Sequence, residues 1–402
     1  MRICLLTSTH KPNDPRIFFK EARSLSKRYR DVWIVSPYAS HIPADNDGIR
    51  FLPINTHPER WGKRLKTMQE LFEAASSLRA DVYHCHEPES LITAVRLKKV
   101  LGCKVVFDSH EMYSATLAQR FPKVLQAPVM KVYQRFEKTK VKKCDFVIGA
   151  TQSISRYLAQ TAGPDRTETI LNGAMPDILG PARSNHWGEE TVICHNGSLE
   201  FARGLKCIIE AIRKVAAKHA VKFRIVGDVF GRDRQWLDSY IKKHGMEDIV
   251  QRTGWLEYLK IGPAISGCHI GLIAFDKLPN HVIAAPNKLF NYMHFGMPVV
   301  APDHCTDISR LIEDEQCGLV VRGNSASSYA DALNYLVENR NRALEMGLNA
   351  RKASDTKYSW PIMEKKLFEI YRQLGNSGHP SIRYGTRGTS GMVIKKFTNS
   401  EV

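Results

Sequence analysis

The feature that most constrains this chain is an alternation running through nearly all of it: short apolar segments, each followed by a stretch of helical period. Strands are predicted at residues 3–7, 32–36, 82–84, 104–108, 146–149 and 168–171. After a break they resume at 191–195, 222–226, 249–252, 269–273, 298–301 and 318–321. Helix-period segments such as 204–218 and 328–340 follow most of them. A strand that regularly gives way to a helix returns parallel through a right-handed crossover, so each series predicts a doubly wound α/β sheet. The pattern occurs twice, and 402 residues exceed what one core holds. Two Rossmann-like domains facing across a cleft are expected.

Boundaries fall where the periodicity stops. Residues 1–173 form the first domain and 191–357 the second, joined by 174–190, AMPDILGPARSNHWGEE, which reads as a linker. Residues 358–374 place Ile362, Leu367, Ile370, Tyr371 and Leu374 at helical spacing and predict a terminal helix. The remainder, 375–402, is rich in Gly, Ser and Thr and is expected to be a flexible tail. Ligands of open parallel sheets bind beyond the carboxyl ends of the strands, so residues just after strands are the candidates for chemistry.

Charge narrows the partner. The chain carries 58 Lys and Arg against 41 Asp and Glu, a net charge of +17, which calls for an anionic partner. No zinc finger, RNA-recognition signature or aromatic–basic platform is present, so no nucleic-acid partner is expected. Residues 120–143 hold eight Lys/Arg against Glu137. Lys131, Arg135, Lys138 and Lys142 share one helical face, while Val129, Val132, Tyr133 and Phe136 share the other, expected to lie on the core. The basic face suits an anionic membrane surface. Nine scattered Cys without two-residue spacing fit reduced, buried thiols and no metal ribbon. With no signal-peptide pattern and no uncharged run of ~18 residues, a cytoplasmic chain, peripheral on the inner face of the membrane, is expected.

Four motifs follow strand ends and a fifth opens a helix. In THKPNDPRIFFKEARSL, Asp14 and Pro15 start a helix as cap and first residue, bringing His10 and Arg16 to its amino end, where a basic side chain suits an anion. His86-Glu87 and His110-Glu111 lack the HExxH spacing of a zinc protease. A histidine so placed can hydrogen-bond substrate or move a proton, or it can be a satisfied core histidine; position alone divides these evenly, and recurrence at two strand ends favours the first. Gly197 and Ser198 form a small-residue turn ahead of Arg203 and Gly204, which suits a phosphate, and a dinucleotide GxGxxG is absent. In APNKLFNYMHFGMPVVAPD, Pro286 precedes a short helix whose first amides, with Lys288, suit a diphosphate. Asp45-Asn46-Asp47, followed by Gly48, reads as a turn and not as a metal site.

Taken together, THKPNDPRIFFKEA, DVYHCHEPESL, VVFDSHEMY, Asn172-Gly173, NGSLEFARG and PNKLFNYMHFGMPVVAPD resemble the family-4 retaining glycosyltransferases of the GT-B fold, especially bacterial enzymes of surface-polysaccharide synthesis. The resemblance implies metal-independent transfer of a sugar from a nucleotide-diphosphate donor, which is a substrate and not a cofactor, to a glycan or lipid-linked acceptor. It assigns donor binding to the second domain, acceptor binding to the first, and a terminal helix that crosses back to the first. By position it makes Arg203 and Lys288 the diphosphate residues and His110 the histidine beside the transferred sugar. Gly197, Ser198, Asn287, Leu289 and Asn291 fall at the nucleotide, and His10, Arg16, His86, Glu87 and Glu111 on the acceptor side. Ile283 and Asn291 stand where the family often has two carboxylates, and Ser198 where it has a first diphosphate arginine. The alternatives are a GT-B sugar-nucleotide epimerase and an inactive homologue acting as a binding subunit, the second of which Asn291 favours.

Overall fold

The computed structural model describes residues 1–56, 61–181 and 187–376. The strand segments assemble into two parallel sheets, in an α/β arrangement. In the first, β1 (Arg2–Leu6), β2 (Asp31–Ser36), β3 (Arg50–Pro53), β4 (Val82–Cys85), β5 (Lys104–Ser109), β6 (Phe146–Gly149) and β7 (Thr167–Thr169) lie in the order β3-β2-β1-β4-β5-β6-β7. In the second, β8 (Thr191–Asn196), β9 (Val221–Val226), β10 (Val250–Arg252), β11 (Ile270–Leu272), β12 (Val299–Pro302) and β13 (Gly318–Val321) take the order β10-β9-β8-β11-β12-β13. Every pairing is parallel; Ile3, for example, lies between Val32 and Val82. Central strands buried on both faces explain why they read as continuous apolar runs. The order reverses beside β1 and beside β8, and the loops leaving these strands border the cleft.

The helix Trp360–Asn376 returns to the first domain. Leu367, Ile370, Tyr371 and Leu374 pack in one core with Ile3, Leu5, Ile17 and Phe18, and Trp360 Nε1 donates to Ser24 Oγ at 2.9 Å. The segment expected to be a linker is structured in its first half. Pro176–Leu179 is a helical turn, Met175 and Leu179 are buried, and Ala174 bridges Ser359. Periodicity cannot reveal so short a turn. The tail expected over 375–402 lies outside the described residues beyond 376. All nine cysteines are free thiols, eight of them buried. Among the described residues no helix is long and apolar enough to cross a membrane.

The basic segment forms the helix Lys123–Val141, which docks through Glu137 and Val141. Its apolar residues do not divide as the spacing predicted. Val132 is 71% exposed and Phe136 39%, joining Val124 and Leu125 on the outer surface beside Lys131 and Arg135. The inward position falls instead to Glu137, which accepts from Tyr157 Oη at 2.7 Å. One helix face therefore presents apolar and basic side chains together.

Candidate functional site

The first loop of the site follows β1. Asp14 caps the next helix, accepting from the amides of Arg16 and Ile17 at 2.8 and 3.0 Å, with Pro15 at the first position. Pro15–Ala22 then winds as a π-helix, whose wider turn brings Arg16, Lys20 and Glu21 inward together. Arg16 is buried, turned toward Asp108 and Asn172 and not presented at the helix end. Its guanidinium grips both oxygens of Asp108 at 2.5 and 2.9 Å and reaches Asn172 Oδ1 at 3.0 Å, because a buried cation needs a buried carboxylate. Lys20 Nζ donates to Asn172 O at 3.0 Å and across the cleft to Asn287 Oδ1 at 2.6 Å.

Glu87 is turned inward, contrary to its expected acceptor-side place. Its carboxylate accepts from Thr7, from Thr9 and Ser90 hydroxyls at 3.0 and 2.9 Å and from the Ser8 amide at 3.2 Å, pinning the loop after β1. Despite burial, these donors and neighbouring histidines hold its pKa below the usual carboxylate range. His86 is likewise fully buried, and its Nδ1 lies 3.3 Å from His110 Nε2. His110 remains at the cleft wall, 16% exposed, with Nε2 3.1 Å from Asp108 Oδ2. Burial lowers its pKa, with Asp108 opposing. His10 lies at the mouth, its ring 5.4 Å from that of His110, between Asp14 at 3.3 Å and Glu87 at 3.5 Å. Burial would lower its pKa, but Asp14 and then Glu87 outweigh it and raise it to about 9. Glu111 spans the cleft, accepting from Asn280 Nδ2 at 3.0 Å, while Asn280 Oδ1 accepts from the Met112 amide at 3.1 Å. Ser153 similarly donates to Asp307 at 2.7 Å from the first domain to the second.

The opposite wall comes from the second domain. Gly197, at φ +100°, carries the chain past Lys288; a Cβ there would come within 3.8 Å of the lysine side chain. Arg203 Nη1 donates to Ser198 Oγ at 2.7 Å. The helix Asn287–His294 opens with the amides of Asn287 and Lys288 ahead of its first internal bonds. Lys288 is 6% exposed, and its Nζ lies 2.9 Å from His195 Nε2, with no carboxylate paired to it among the described residues. Burial first, then Arg203, pushes its pKa well below the usual lysine range. Two binding expectations on this helix are corrected. Leu289 is buried in the core and its amide donates to Pro286 O at 3.1 Å, so it offers a ligand neither side chain nor free N–H. Asn291 is 2% exposed with Nδ2 unpartnered, so any ribose contact would have to be made from an almost fully enclosed amide. Asn287 directs its side chain to Lys20.

His110, Asn172, Arg203, Pro286 and Lys288 line one cavity of about 380 Å³ between the two domains. That is enough for a small ligand, with Arg203 and the Lys288 amine of the second domain facing a histidine of the first. A larger cavity of about 570 Å³, where Arg23, Asp47 and Trp360 meet, is not lined by these strand-end residues. Asp45–Asp47 is the turn expected, with Gly48 N donating to Asn46 Oδ1 at 3.1 Å and Asp47 paired to Arg23 at 2.5 Å. Glu21, His84, His86 and Asp108 bring metal-ligand types together, yet the Arg16 guanidinium lies among them, 3.2 Å from Glu21. Sequence reading missed Lys20, Glu21, Asp108 and His195. Lys20 follows Arg16 at the four-residue spacing of an α turn, but Glu21 follows at five, which α-periodicity sets on another face and the wider π turn brings round.

Two facing parallel sheets, with the anion-ready edge on the second, define a protein of the GT-B class. Residues 16–177 match the "Glycosyltransferase Family 4" model and residues 190–339 the "Glycosyl transferases group 1" model. The chain belongs to the GT-B glycosyltransferases that these two domains make up. It is 27% identical over 188 residues to the alpha-D-kanosaminyltransferase of Streptomyces kanamyceticus, covering 46% of this chain and 47% of that protein. It is 23% identical over 219 residues to an uncharacterized glycosyltransferase of Haemophilus influenzae, covering 54% and 58%. The matches thus span about half the length of these curated relatives. In structure it is similar to Anabaena HepE in complex with UDP-glucose (TM-score 0.73, 17% identity, 93% of this chain and 100% of that one). It is also similar to WaaG, a glycosyltransferase involved in lipopolysaccharide biosynthesis (TM-score 0.70, 14% identity, 92% and 99%).

Proposed function

We propose that the chain transfers a sugar from a nucleoside-diphosphate donor to a glycan or lipid-linked acceptor in surface-polysaccharide synthesis, with retention and without a metal. One observation carries the reading: the buried Lys288 amine, bonded to a neutral imidazole, shares its cavity with Arg203. Burial and then Arg203 disfavour the charged form of Lys288, an anion joining the two would restore it, and a diphosphate at the helix terminus meets that need. As the nucleoside diphosphate departs, charge grows on its phosphate, and Arg203, Lys288 and the helix amides stabilise it. His110 faces this charge from the first domain. Among the described residues that line the cavity Glu111 is the one carboxylate, and it is bonded to Asn280, which supports a front-face path in which the leaving phosphate accepts the acceptor's proton. WaaG's stated role in lipopolysaccharide biosynthesis supports the polysaccharide setting.

The exposed apolar and basic face of Lys123–Val141 supports peripheral binding to an anionic membrane, where a lipid-linked acceptor would lie. A thermal-shift screen against UDP-, GDP-, ADP- and dTDP-sugars tests the donor reading: at least one should raise the Tm, and none doing so at millimolar concentration removes it. Transfer that persists in excess EDTA, with the product anomer assigned by NMR, tests metal independence and retention. Binding without transfer or hydrolysis would instead support a binding subunit.

A further inference from the structure

We propose that His195 is a positioning residue that holds Lys288 as a neutral amine until an anion reaches it, its Nε2–H donating to the amine's lone pair. His195 lies in β8 and is fully buried. Its Nε2 is 2.9 Å from Lys288 Nζ and 3.4 Å from Ser198 O, while its Nδ1 is enclosed without a hydrogen-bond partner.

These contacts select one tautomer. Burial keeps the imidazole uncharged, so it carries a single N–H. On Nδ1 that hydrogen would be an orphaned buried donor, which folded chains rarely tolerate. On Nε2 it faces both Ser198 O and Lys288 Nζ. A nitrogen that already bears hydrogen meets an amine at 2.9 Å only where the amine supplies a lone pair, and an ammonium has none.

The groups around the amine agree. From the loop after β8 come Arg203 and Glu200, 3.9 Å from each other, and from β8 the Cys194 thiol, kept neutral by burial. On the lysine's own helix Asn287 bonds Lys20, and Tyr292 accepts from the Asn196 amide. The Phe275 ring lies 5.3 Å from Nζ, and His110 lines the cavity from the first domain. Burial and then Arg203 disfavour the ammonium, the direction that the hydrogen bond requires. When a phosphate enters, the amine takes a third hydrogen from solution and donates to it, and Nε2–H passes to Ser198 O. Departure of the phosphate returns that proton. Lys288 is thus charged only while it has a counter-ion, which spares the ligand-free chain a buried, unpaired ammonium.

The proposal rests on the donor reading only for the identity of the anion, so its first measurement needs no ligand. Imidazole 15N NMR of the wild type, with His195→Gln assigning the signals, should show Nε2 protonated and Nδ1 bare. The opposite tautomer overturns the proposal, because Lys288 would then be the donor. Calorimetry with UDP, GDP, ADP and dTDP in buffers of different ionisation enthalpy then counts protons. At about pH 8 a terminal phosphate, with a second pKa of about 6, is already ionised. Binding should take up about one proton in the wild type and about none in Lys288→Met, which keeps Arg203 and the helix amides. Binding without uptake in the wild type overturns the proposal and leaves the donor reading standing. His195→Phe keeps a ring but no donor, so uptake should begin about half a pH unit or more higher, and His195→Gln, with an amide donor, should restore it. The same onset in His195→Phe and wild type overturns the role of His195. Should His195→Phe fail to fold, the tautomer decides. If no nucleotide binds, the donor reading falls and the tautomer again decides this proposal.

Discussion

Lys20 Nζ lies 2.6 Å from Asn287 Oδ1, a hydrogen bond that runs from the first domain's π-helix to the residue opening the second domain's helix Asn287–His294. Burial, reinforced by Arg16, brings the pKa of this lysine down to about 7. Between about pH 7 and 10.5 the unfolded chain therefore holds a proton that the folded chain does not, so stability attributable to Lys20 rises with pH there. Urea midpoints of wild type and Lys20→Met should diverge in the wild type's favour as pH rises through this window. Parallel curves would show that the amine stays charged.

His10 gives the opposite slope. Its pKa is raised to about 9 by Asp14 and Glu87 against the pull of burial. Its contribution is complete below about pH 6.5 and is lost as pH rises through about 9. The stability gap between wild type and His10→Gln, read by urea denaturation from pH 6 to 10, should shrink across that interval. A constant gap contradicts the pairing.

Arg203→Ala should cut transfer by about 100-fold or more while moving the Tm by no more than a degree or two. The guanidinium is 39% exposed and bonds Ser198, so its loss leaves no enclosed group stranded. Initial rates with whichever donor the thermal screen selects provide the measurement. Full activity would remove Arg203 from the site.

Gly204 sits at φ +83°, and a Cβ there would lie 2.1 Å from Ala274 O. Gly204→Ala should destabilise the fold by about 1–3 kcal/mol and displace Arg203, weakening nucleotide binding. Chemical denaturation together with nucleotide titration reads both effects, and wild-type values for both would refute the close approach.

Flotation with vesicles containing anionic lipid should carry the wild type at low salt. The double variant Val132→Asp, Phe136→Asp should float several-fold less at an unchanged Tm, since both side chains are exposed. Equal flotation would leave basic charge alone responsible. No flotation of the wild type would end the membrane reading.

Much of the fold was legible because strand and helix periods are local properties. Every strand predicted from residues 3–7 to 318–321 appears, and Asp14 and Pro15 start their helix as a cap and first turn must. The terminal helix was legible for the same reason, from Leu367 to Leu374 at helical spacing, while its return to the first domain came only from the family resemblance. The exposed Val132 and Phe136 were not, because a period separates two faces without saying which one finds a neighbour.

The site divides along the same line. Sequence alone determined that the second domain would place Gly197, Arg203 and Lys288 after strands or at a helix start, since strand-end position follows from connectivity. Only the tertiary structure decided that Arg16 grips Asp108, that Glu87 turns inward to Thr7 and Ser90, and that Lys288 meets His195. Those pairings join residues up to 93 positions apart. Each is set by which unpaired charge burial brings within reach of which partner, and no local pattern records that.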